Sequence, residues 1–534
     1  MPDDIDAPPF NNLPAMVAAH ARRRPDALAL VVGTQRLSYA ALDALADRVA
    51  ASLQRDGLQP CDVVAICAGS RVEYLAVFLG ALRAGLAVAP LAPGSTPAQL
   101  IDMALDAGAR RFFVDGDVLA ALTAGGALPT ASLPTTHLPI THLPITRLDA
   151  ADGHAPLAPW LIDTPDGAPA RPTPVEIDPA WPFNLIYSSG TTGTPKGIVQ
   201  SHAMRWSHIQ RAALSGYDTR TVTLIATPLY SNTTLVAVIP TLACGGCLVL
   251  MPKFDALAYL KIAQAERISH TMLVPVQYQR LMARPEFGQF DLGSTRMKFC
   301  TSAPFHAALK ADVLARWPGG LVEYYGMTEG GGTCILQAHL HPTKLHTVGQ
   351  PADGHTVLLI DEDGREVTTV GDSGEVVGRS AGMMTGYHNQ PAKTAEAEWF
   401  DAQGQRYIRT GDVGRFDADG FLTLHDRRKD MVISGGFNIY PSDLEAVLRT
   451  HPALADAAVV GVPSAEWGET PVAFVVLREG FELDAEALRQ WFNQQVGKTQ
   501  RLSGLRRVAE LPRSAIGKVL KRELRETWGT GSAV

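Results

Sequence analysis

The chain has 534 residues, of which 46% are hydrophobic and 19% charged, and its formal net charge at pH 7 is −7. A chain of this length is too long for one hydrophobic core and predicts several domains. Because it has no block of Lys and Arg, it gives no electrostatic support for nucleic-acid binding. The acidic N-terminus lacks the apolar core of a signal peptide, and the longest apolar stretch is interrupted by Pro240. These features predict a cytoplasmic protein without a membrane span.

Helices and strands alternate along much of the chain. Residues 37–53 and 72–84 show helical apolar spacing on either side of a buried strand at 63–66. Further strands are predicted at 183–187, 224–227, 247–251, 271–274, 297–300 and 321–325, and further helices at 235–244, 256–267 and 305–317. Strands that alternate with helices predict a mostly parallel, doubly wound sheet.

Residues 121–180 interrupt this alternation. The segment is rich in Pro, Thr and Ala, and it repeats Thr-His-Leu-Pro-Ile from Thr136 and from Thr141. A proline repeat packs poorly in a core, so we predict an exposed insertion that is dispensable for chemistry.

The C-terminal third has a different pattern. Beyond about residue 350, short strands separated by Asp-Gly turns predict a small antiparallel sheet or barrel. A compact α+β unit follows from about residue 430. Its first helix is predicted to begin at Pro441, where Ser442 and Glu445 have the spacing of a capping box.

The stretch Tyr-Ser-Ser-Gly-Thr-Thr-Gly-Thr-Pro-Lys-Gly occupies residues 187–197, directly after a predicted strand. Glycines let backbone N–H groups approach an anion, hydroxyl side chains add donors, and Lys196 adds a positive charge. It is not a Walker A loop, because Lys196 lies between Pro195 and Gly197. A flexible surface loop has a similar composition, but the position after a buried strand favours a phosphate site.

Four further stretches are candidates for chemistry. They are Glu-Tyr-Tyr-Gly-Met-Thr-Glu at 323–329, Thr-Gly-Asp at 410–412, Asp-Arg-Arg-Lys-Asp at 426–430 leading to Ser-Gly-Gly-Phe at 434–437, and Pro-Arg-Ser-Ala-Ile-Gly-Lys at 512–518. Each alone is compatible with an ordinary turn, loop or surface charge. Together, and in this order after the loop at 187–197, they resemble the motifs of the adenylate-forming (AMP-binding) superfamily, in the branch of acyl-CoA synthetases and 4-coumarate-CoA ligases.

The resemblance implies an α/β fold with two domains. Residues 1–428 would form a large N-terminal domain of doubly wound, mostly parallel sheets plus a small β-barrel, and residues 429–534 a small mobile α+β domain. It also implies an ATP-dependent acid:CoA ligase. A carboxylate would attack the α-phosphate of ATP to give an acyl-adenylate and pyrophosphate, and the CoA thiol would then take the acyl group and release AMP. The expected cofactors and substrates are ATP, Mg²⁺ and CoA, and the expected state is a monomer or homodimer.

The resemblance also assigns roles in the first half-reaction. Lys518 would bridge the carboxylate and the α-phosphate, Thr328 would donate to that phosphate, and Glu329 would hold Mg²⁺, which prefers carboxylate oxygen. Lys196 would bind the β- and γ-phosphates together with Thr191, Thr192 and Gly193. The remaining nucleotide contacts are expected from Ser302, Ala303, Pro304, Glu323, Tyr324, Tyr325, Gly326, Asp412 and Arg427. Of these, Tyr325 would pack on adenine, and Asp412 and Arg427 would reach the ribose.

In the second half-reaction, the resemblance implies a rotation of the C-terminal domain about Lys429. The rotation would withdraw Lys518 and bring a CoA-binding segment to the site. That segment consists of Ser434, Gly435, Gly436 and Phe437. Its glycines would let the pantetheine arm pass along the backbone.

The acyl pocket is expected to be lined by Tyr230, Ser231, Asn232, Thr233, Val274, Pro275, Gly330 and Gly331. Many relatives have His where this chain has Ser231. These segments contain no acidic or basic side chain, which disfavours amino acids and malonate-like diacids. A neutral aryl or cinnamate-like acid, or a medium-to-long fatty acid, is therefore expected.

Three other functions remain open at this level. The acyl group could go to a separate carrier protein, although the chain has no carrier motif of its own. A luciferase-like oxygenase would share the adenylation residues. A non-catalytic binding protein of the same fold is disfavoured, because Lys196, Glu329 and Lys518 are all present.

Overall fold

A computed structural model gives the fold of the 534-residue chain. It describes residues 9–125, 143–150, 157, 159–163, 170–188, 196–212, 215–427, 430–434, 437–464, 467–497, 500–514 and 517–530. Within these ranges, the side chains of Ser188, Asp426, Arg427, Phe437, Asn438 and Thr530 are not described. The predicted phosphate-loop residues Thr191, Thr192 and Gly193, the hinge Lys429, and Gly435 and Gly436 lie outside the described residues.

The larger α/β sheet has nine strands. They are β1 (Leu28–Val32), β2 (Gln35–Ser38), β9 (Val222–Ile225), β10 (Cys247–Leu250), β11 (His270–Leu273), β12 (Met297–Cys300), β13 (Gly320–Met327), β14 (Gly330–Gln337) and β15 (Gln350–Pro351). Their spatial order is β15-β14-β13-β12-β11-β9-β10-β1-β2, with parallel pairing from β13 through β1 and antiparallel edges. Strand β11 is buried at all four positions, as expected for a parallel strand covered on both faces.

The second α/β sheet has seven strands. They are β3 (Val63–Cys67), β4 (Ala87–Pro90), β5 (Ala109–Val114), β6 (Ile145–Arg147), β7 (Pro182–Ser188), β8 (Lys196–Ser201) and β18 (Gly386–Tyr387). The order is β18-β8-β7-β4-β3-β5-β6, parallel from β7 to β6 and antiparallel at β8 and β18.

Ten helices of the described residues pack on these two sheets. They are α1 (Leu13–Arg23), α2 (Tyr39–Arg55), α3 (Val72–Arg83), α4 (Pro97–Asp106), α5 (Gly116–Ala124), α6 (His202–Gln210), α7 (Asn232–Ala243), α8 (Ala256–Ala265), α9 (Pro275–Met282) and α10 (Ala307–Arg316). Several begin at side-chain caps. At α4, Thr96 and Gln99 form a reciprocal capping box.

A small antiparallel sheet follows. Its strands are β16 (Thr356–Ile360), β17 (Ser373–Arg379), β19 (Glu398–Phe400), β20 (Arg406–Phe416) and β21 (Leu422–Arg427), with the short helix α11 (Pro391–Glu396) before β19. The C-terminal unit has β22 (Val432–Ser434), β23 (Phe437–Ile439), β24 (Leu454–Ser464), β25 (Gly468–Leu477) and β26 (Gly504–Arg507), with helices α12 (Pro441–Leu448), α13 (Ala485–Gln495) and α14 (Lys521–Thr530). Its buried side chains form clusters of their own, between residues 432 and 528.

The predicted fold class is confirmed, with parallel α/β sheets, a small antiparallel sheet and a C-terminal α+β unit. No helix of the described residues is both long enough and apolar enough to span a bilayer. The predicted capping box at Ser442 and Glu445 is wrong, because the N-cap of α12 is Tyr440. Glu445 instead accepts from the Val459 N–H at 2.9 Å, which ties α12 to β24.

The predicted insertion is also shorter than expected. Within residues 121–180, β6 pairs with β5 as an edge strand, and Leu148 and Leu157 are buried in the core. The Trp160 ring packs edge-on against Phe113, with 5.1 Å between centroids. Part of this Pro/Thr-rich segment therefore belongs to the folded domain. The repeat from Thr136 lies outside the described residues.

Candidate active site

One large cavity, of about 1430 Å³, lies where the α/β sheets, the antiparallel sheet and the C-terminal unit meet. Pro90 ends β4, Tyr187 lies at the end of β7, and Thr301 follows β12, and all three line the cavity. A crevice at the carboxyl ends of parallel strands is the usual position of a ligand site in such sheets.

The predicted catalytic residues Lys196, Thr328, Glu329 and Lys518 come from three segments of the chain and all line this cavity. The Lys196 ammonium lies 4.8 Å from the centroid of the Tyr387 ring. The hydroxyl of Tyr387 in turn donates to Glu329 Oε1 at 2.8 Å. One tyrosine on β18 therefore organises both the predicted phosphate cation and the predicted metal carboxylate.

The donor set at Glu329 suits Mg²⁺. Among the described residues, no cluster of three or more His, Cys, Asp or Glu side chains could form a complete metal cage. Mg²⁺ usually keeps several waters and is bound by one or two carboxylates together with substrate phosphates. A single carboxylate beside a predicted triphosphate site is such an arrangement.

A buried network of hydrogen bonds holds the backbone carbonyl of Thr328. Gln200 donates through Nε2 to the Thr328 carbonyl at 2.6 Å, and its Oε1 accepts from Asn184 Nδ2 at 2.8 Å. The guanidinium of Arg205 donates from Nε and Nη2 to Asn184 Oδ1, at 3.1 and 2.9 Å, and also to Gln200 Oε1. Complete burial lowers the pKa of Arg205 to about 9. The network joins α6 to the hairpin of β7 and β8 and fixes the backbone that carries Thr328.

The predicted phosphate loop connects the two strands of a hairpin. Tyr187 pairs with Gly197, and Ser188 with Lys196, so the loop leaves and re-enters the sheet at adjacent positions. The Tyr187 hydroxyl donates to Asp106 Oδ2 at 2.6 Å, which anchors one end of the hairpin to α4.

Lys518 reaches the cavity from a tight turn of the C-terminal unit. The Ser514 N–H donates to the Lys518 carbonyl at 2.8 Å, and the Lys518 N–H to Ser514 Oγ at 3.2 Å. Gly517 has a φ of +76°, and a Cβ built on it would lie 2.9 Å from Cγ1 of Val276. Both observations favour glycine at this position. The turn thus packs closely on the N-terminal end of α9.

Only some of the predicted nucleotide-binding residues line the cavity. Ser302 lines the cavity with a φ of +83°, a strained conformation for serine, and its Oγ bonds to Thr233 Oγ1. Tyr325 donates to Asp412 Oδ2 at 2.8 Å, and Asp412 is the register partner of Arg427. The predicted adenine platform and ribose residues therefore lie together. Gly326 and Tyr324 also line the cavity, whereas Ala303 and Pro304 follow Ser302 outside its walls.

Glu323 lies elsewhere than predicted. It is 4% exposed and forms a buried ion pair with Lys310, which also donates to the carbonyls of Leu345 and Thr347. Burial raises the pKa of Glu323. The pair ties α10 to β13, so the structure gives Glu323 a packing role away from the cavity.

Most of the predicted acyl-pocket residues line the cavity, namely Tyr230, Ser231, Asn232, Thr233, Gly330 and Gly331. Val274 and Pro275 do not. A Cβ built on Gly517 would lie 3.3 Å from Val274 Cγ2, so this part of α9 faces the Lys518 turn instead. Gly330 and Gly331 both have a φ of +78°, and Cβ atoms there would lie 1.9 and 2.9 Å from the carbonyl oxygens of Gly382 and Gly378. These glycines allow backbones to pack closely, besides leaving room for a ligand.

Sequence reasoning missed a group of aromatic and basic residues in the cavity wall. There the rings of Tyr217 and Tyr324 each stack on Phe299, with centroids 5.8 and 5.7 Å apart. The basic residues His208, Arg211 and His355 line the same cavity. Arg205 and His208 lie three positions apart in α6, with Arg211 three residues further on, a spacing that would have placed them on one helical face.

The predicted CoA-binding segment does not line the cavity where it is described. Ser434 is 5% exposed and pairs with Phe437 across β22 and β23, and with Gly468 of β25. Lys518, by contrast, faces the cavity in this arrangement.

Residues 17–388 match the family model of AMP-binding enzymes, and residues 443–518 match the model of their C-terminal domain. The chain belongs to the AMP-binding enzyme family. It is 32% identical to a feruloyl-CoA synthase from an Amycolatopsis species, over 95% of this chain and 97% of the relative. It is 31% identical to an indoleacetate–CoA ligase of Aromatoleum aromaticum, over 95% and 96%. ATP-bound MatB from Rhodopseudomonas palustris superposes with a TM-score of 0.84 at 29% identity, covering 97% of this chain and 99% of MatB.

These matches confirm the predicted adenylate-forming superfamily and enzyme class. The AMP-binding enzyme described here is an ATP-dependent acid–thiol ligase that uses ATP, Mg²⁺ and CoA. The individual roles of its site residues remain predictions.

Proposed function

We propose that this enzyme activates an aryl carboxylic acid as its acyl-adenylate and transfers the acyl group to CoA. The observation that carries the proposal is one continuous cavity. Its walls contain Lys518, Thr328 and Glu329 together with the aromatic stack of Tyr217, Phe299 and Tyr324.

The aromatic stack supports an aryl acid over an aliphatic one. Flat ring faces favour offset or edge-on packing with a bound ring, beyond the burial of apolar area. The feruloyl-CoA synthase and indoleacetate–CoA ligase relatives are named for acids that carry rings. The three rings of the stack come from β12, β13 and the segment after α6, and they would contact the ring of such an acid.

In the first half-reaction, chain residues position groups and neutralise charge. Lys196 would bind the β- and γ-phosphates, and the Thr328 hydroxyl would donate to the α-phosphate. Lys518 would lie between the carboxylate of the acid and the α-phosphate, where negative charge accumulates in the transition state. Mg²⁺ at Glu329 would neutralise charge on the departing pyrophosphate.

In the second half-reaction, the C-terminal unit would rotate about Lys429, with residues 429–534 moving as the mobile domain. Two observations support this. The Lys518 turn faces the cavity here, and β22, which leads into the predicted CoA segment, lies outside the cavity lining. A second arrangement would be needed for that segment to reach the acyl carbon.

Pyrophosphate release over a panel of acids, with and without CoA, tests the proposal, with mass spectrometry of the products. Aryl acids should give AMP, pyrophosphate and an acyl-CoA, and they should exceed octanoate and palmitate in kcat/KM. Preference for the fatty acids would contradict the aryl assignment. Pyrophosphate release without CoA-thioester formation would instead favour a carrier protein as acceptor.

A further inference from the structure

We propose that Arg211 and His355 form an oxygen-binding subsite in the wall of the acyl pocket, so that the acid carries an oxygen acceptor on its ring. The inference rests on the proposed aryl-acid function and adds the feature of the acid that this chain selects. It begins with two hydrogen-bond donors that face each other.

The proton on His355 can be assigned from its neighbours. The backbone N–H of Thr333 donates to His355 Nδ1 at 2.9 Å, and a ring nitrogen that accepts carries no proton. Burial and the nearby Arg211 lower the pKa of His355 to about 4, so the ring is neutral at pH 7. The single ring proton therefore lies on Nε2.

Nε2 of His355 faces the guanidinium of Arg211. An arginine has donors and no acceptor, and Nε2–H is also a donor. With its proton on Nε2, His355 cannot accept a hydrogen bond from Arg211. Both side chains line the cavity, so an acceptor atom of a ligand bound beside them could accept from either donor.

Arg211 also has an unbalanced charge. Burial lowers its pKa, and among the residues that the structure describes no carboxylate forms an ion pair with it. The fully buried Arg205 adds a second guanidinium nearby, held by neutral amides, and burial keeps the intervening His208 neutral by lowering its pKa. A partly buried cation without a counter-charge is unfavourable by itself. Such a residue in a cavity wall is a candidate ligand contact.

The surroundings identify the kind of group that would bind. Arg211, His355 and Tyr324 line one cavity, and the Tyr324 hydroxyl bonds to Ser215 Oγ at 3.2 Å. The subsite is thus polar at the edge of an aromatic stack. A ring whose carboxylate faces Lys518 would direct a remote substituent here. A phenolic oxygen or a second carboxylate offers the required lone pairs, whereas an unsubstituted ring offers none.

Three acids with one skeleton test the subsite: cinnamate, 4-hydroxycinnamate and 4-carboxycinnamate. The wild-type enzyme should prefer at least one of the two oxygenated acids over cinnamate in kcat/KM for pyrophosphate release. In Arg211→Met, kcat/KM for the preferred acid should fall by about 10- to 100-fold, the range for hydrogen bonds to charged groups. The loss for cinnamate should be smaller, since cinnamate has no acceptor for the missing donor. The oxygenated acid that loses most identifies the phenol or the carboxylate as the bound group.

Four further variants separate binding from folding. Arg211→Lys should restore part of the preference, since it keeps a cationic donor. His355→Gln, which keeps a donor and an acceptor, should retain more of it than His355→Leu. Arg220→Met, at a side chain that is 84% exposed, is the matched control and should behave as wild type.

Two results would overturn the subsite while leaving the aryl-acid function intact. One is a wild-type enzyme that uses cinnamate as well as both oxygenated acids. The other is an equal loss for all three acids in Arg211→Met with an unchanged melting temperature. If no aryl acid of the panel yields pyrophosphate, the proposed function itself fails, and the subsite with it.

Discussion

The hydroxyl of Tyr387 donates to Glu329 Oε1 across 2.8 Å, while the face of the same ring lies 4.8 Å from the Lys196 ammonium. Tyr387 and Glu329 lie 58 positions apart in the chain. Through Tyr387, β18 at the edge of the second α/β sheet orients the carboxylate that follows β13 of the first. The catalytic cavity therefore depends on how the two sheets are joined.

Tyr387→Phe should separate these two contacts. The phenyl ring keeps the cation–π contact with Lys196, but Glu329 loses the donor that orients it. We expect a weaker apparent affinity for Mg²⁺ in pyrophosphate release, by about 10- to 100-fold, as for other groups that orient metal ligands. A Mg²⁺ titration of the initial rate measures this. Tyr407→Phe, at a buried tyrosine of the antiparallel sheet, is the control and should leave the titration unchanged.

The Pro/Thr-rich segment should divide into a dispensable part and an essential part. Replacing residues 135–142 with a Gly/Ser linker should leave both melting temperature and turnover near wild type. Extending the replacement to residue 147 removes β6, its pairing with β5 and the bond from Arg111 to Thr146 Oγ1 at 2.8 Å. We expect this longer replacement to lower the melting temperature by several degrees. Equal melting temperatures for the two variants would show that β6 contributes nothing to stability.

The sequence predicted what is encoded locally. Apolar runs identified the buried strands, and the Gly/Thr-rich stretch after β7 indicated a phosphate loop, because its donors lie side by side in the chain. Tyr324 and Tyr325 show where this kind of prediction ends. Both belong to one motif, but alternation along β13 sends Tyr325 to Asp412 and Tyr324 to Ser215.

Contacts between distant segments were beyond sequence reasoning. His355 lies 144 residues from Arg211, and nothing in either local pattern indicates the other. Glu323 had the right motif for a nucleotide contact, yet Lys310 of α10 pairs with it in the core. Strand β6 was not predicted, because the proline-rich composition on both sides of it indicated a linker. Three residues are nevertheless enough to add a strand to the edge of an existing sheet.

Buried histidines should make the protein sensitive to acid. His270 contacts Ser269 Oγ through Nδ1 and the Ser215 carbonyl through Nε2, and burial lowers its pKa to about 4. The unfolded chain takes up this proton near pH 6.5, so it binds more protons than the folded state between about pH 6.5 and 4. Stability is therefore full above pH 6.5 and falls as the pH is lowered through this window. The slope is up to about 1.4 kcal/mol per pH unit for one such group.

His270→Gln should remove that contribution. Urea unfolding at pH 7.5 and pH 5.0 should show a smaller difference in the free energy of unfolding for the variant than for wild type, even if the variant is less stable at both pH values. His346→Gln, at an exposed position, should leave the difference unchanged. A wild-type pH dependence retained in full by His270→Gln would assign the acid sensitivity to other groups.

Lys518→Ala should affect only the first half-reaction. The ammonium faces the cavity with Thr328 and Glu329, where charge develops between carboxylate and α-phosphate. Its loss should slow acyl-adenylate formation by about 10²- to 10³-fold, as for other preorganised donors. Synthetic acyl-adenylate and CoA should still give thioester at a near-normal rate. If both steps slow equally in a folded variant, the lysine has a structural role.

Gly517→Ala tests the docking of the turn that carries this lysine. An alanine there would adopt a φ of +76° and place its Cβ 2.9 Å from Val276 Cγ1, so the turn must shift away from α9. Because reacting groups tolerate little misplacement, adenylate formation should fall by about 10- to 100-fold while the thioester step from supplied adenylate persists. Gly480→Ala is the matched control, with a φ of +82° and no atom within 4 Å of the added Cβ. It carries the same backbone strain without the contact. Equal losses of adenylation in the two variants would attribute the effect to strain within the C-terminal unit rather than to its contact with Val276.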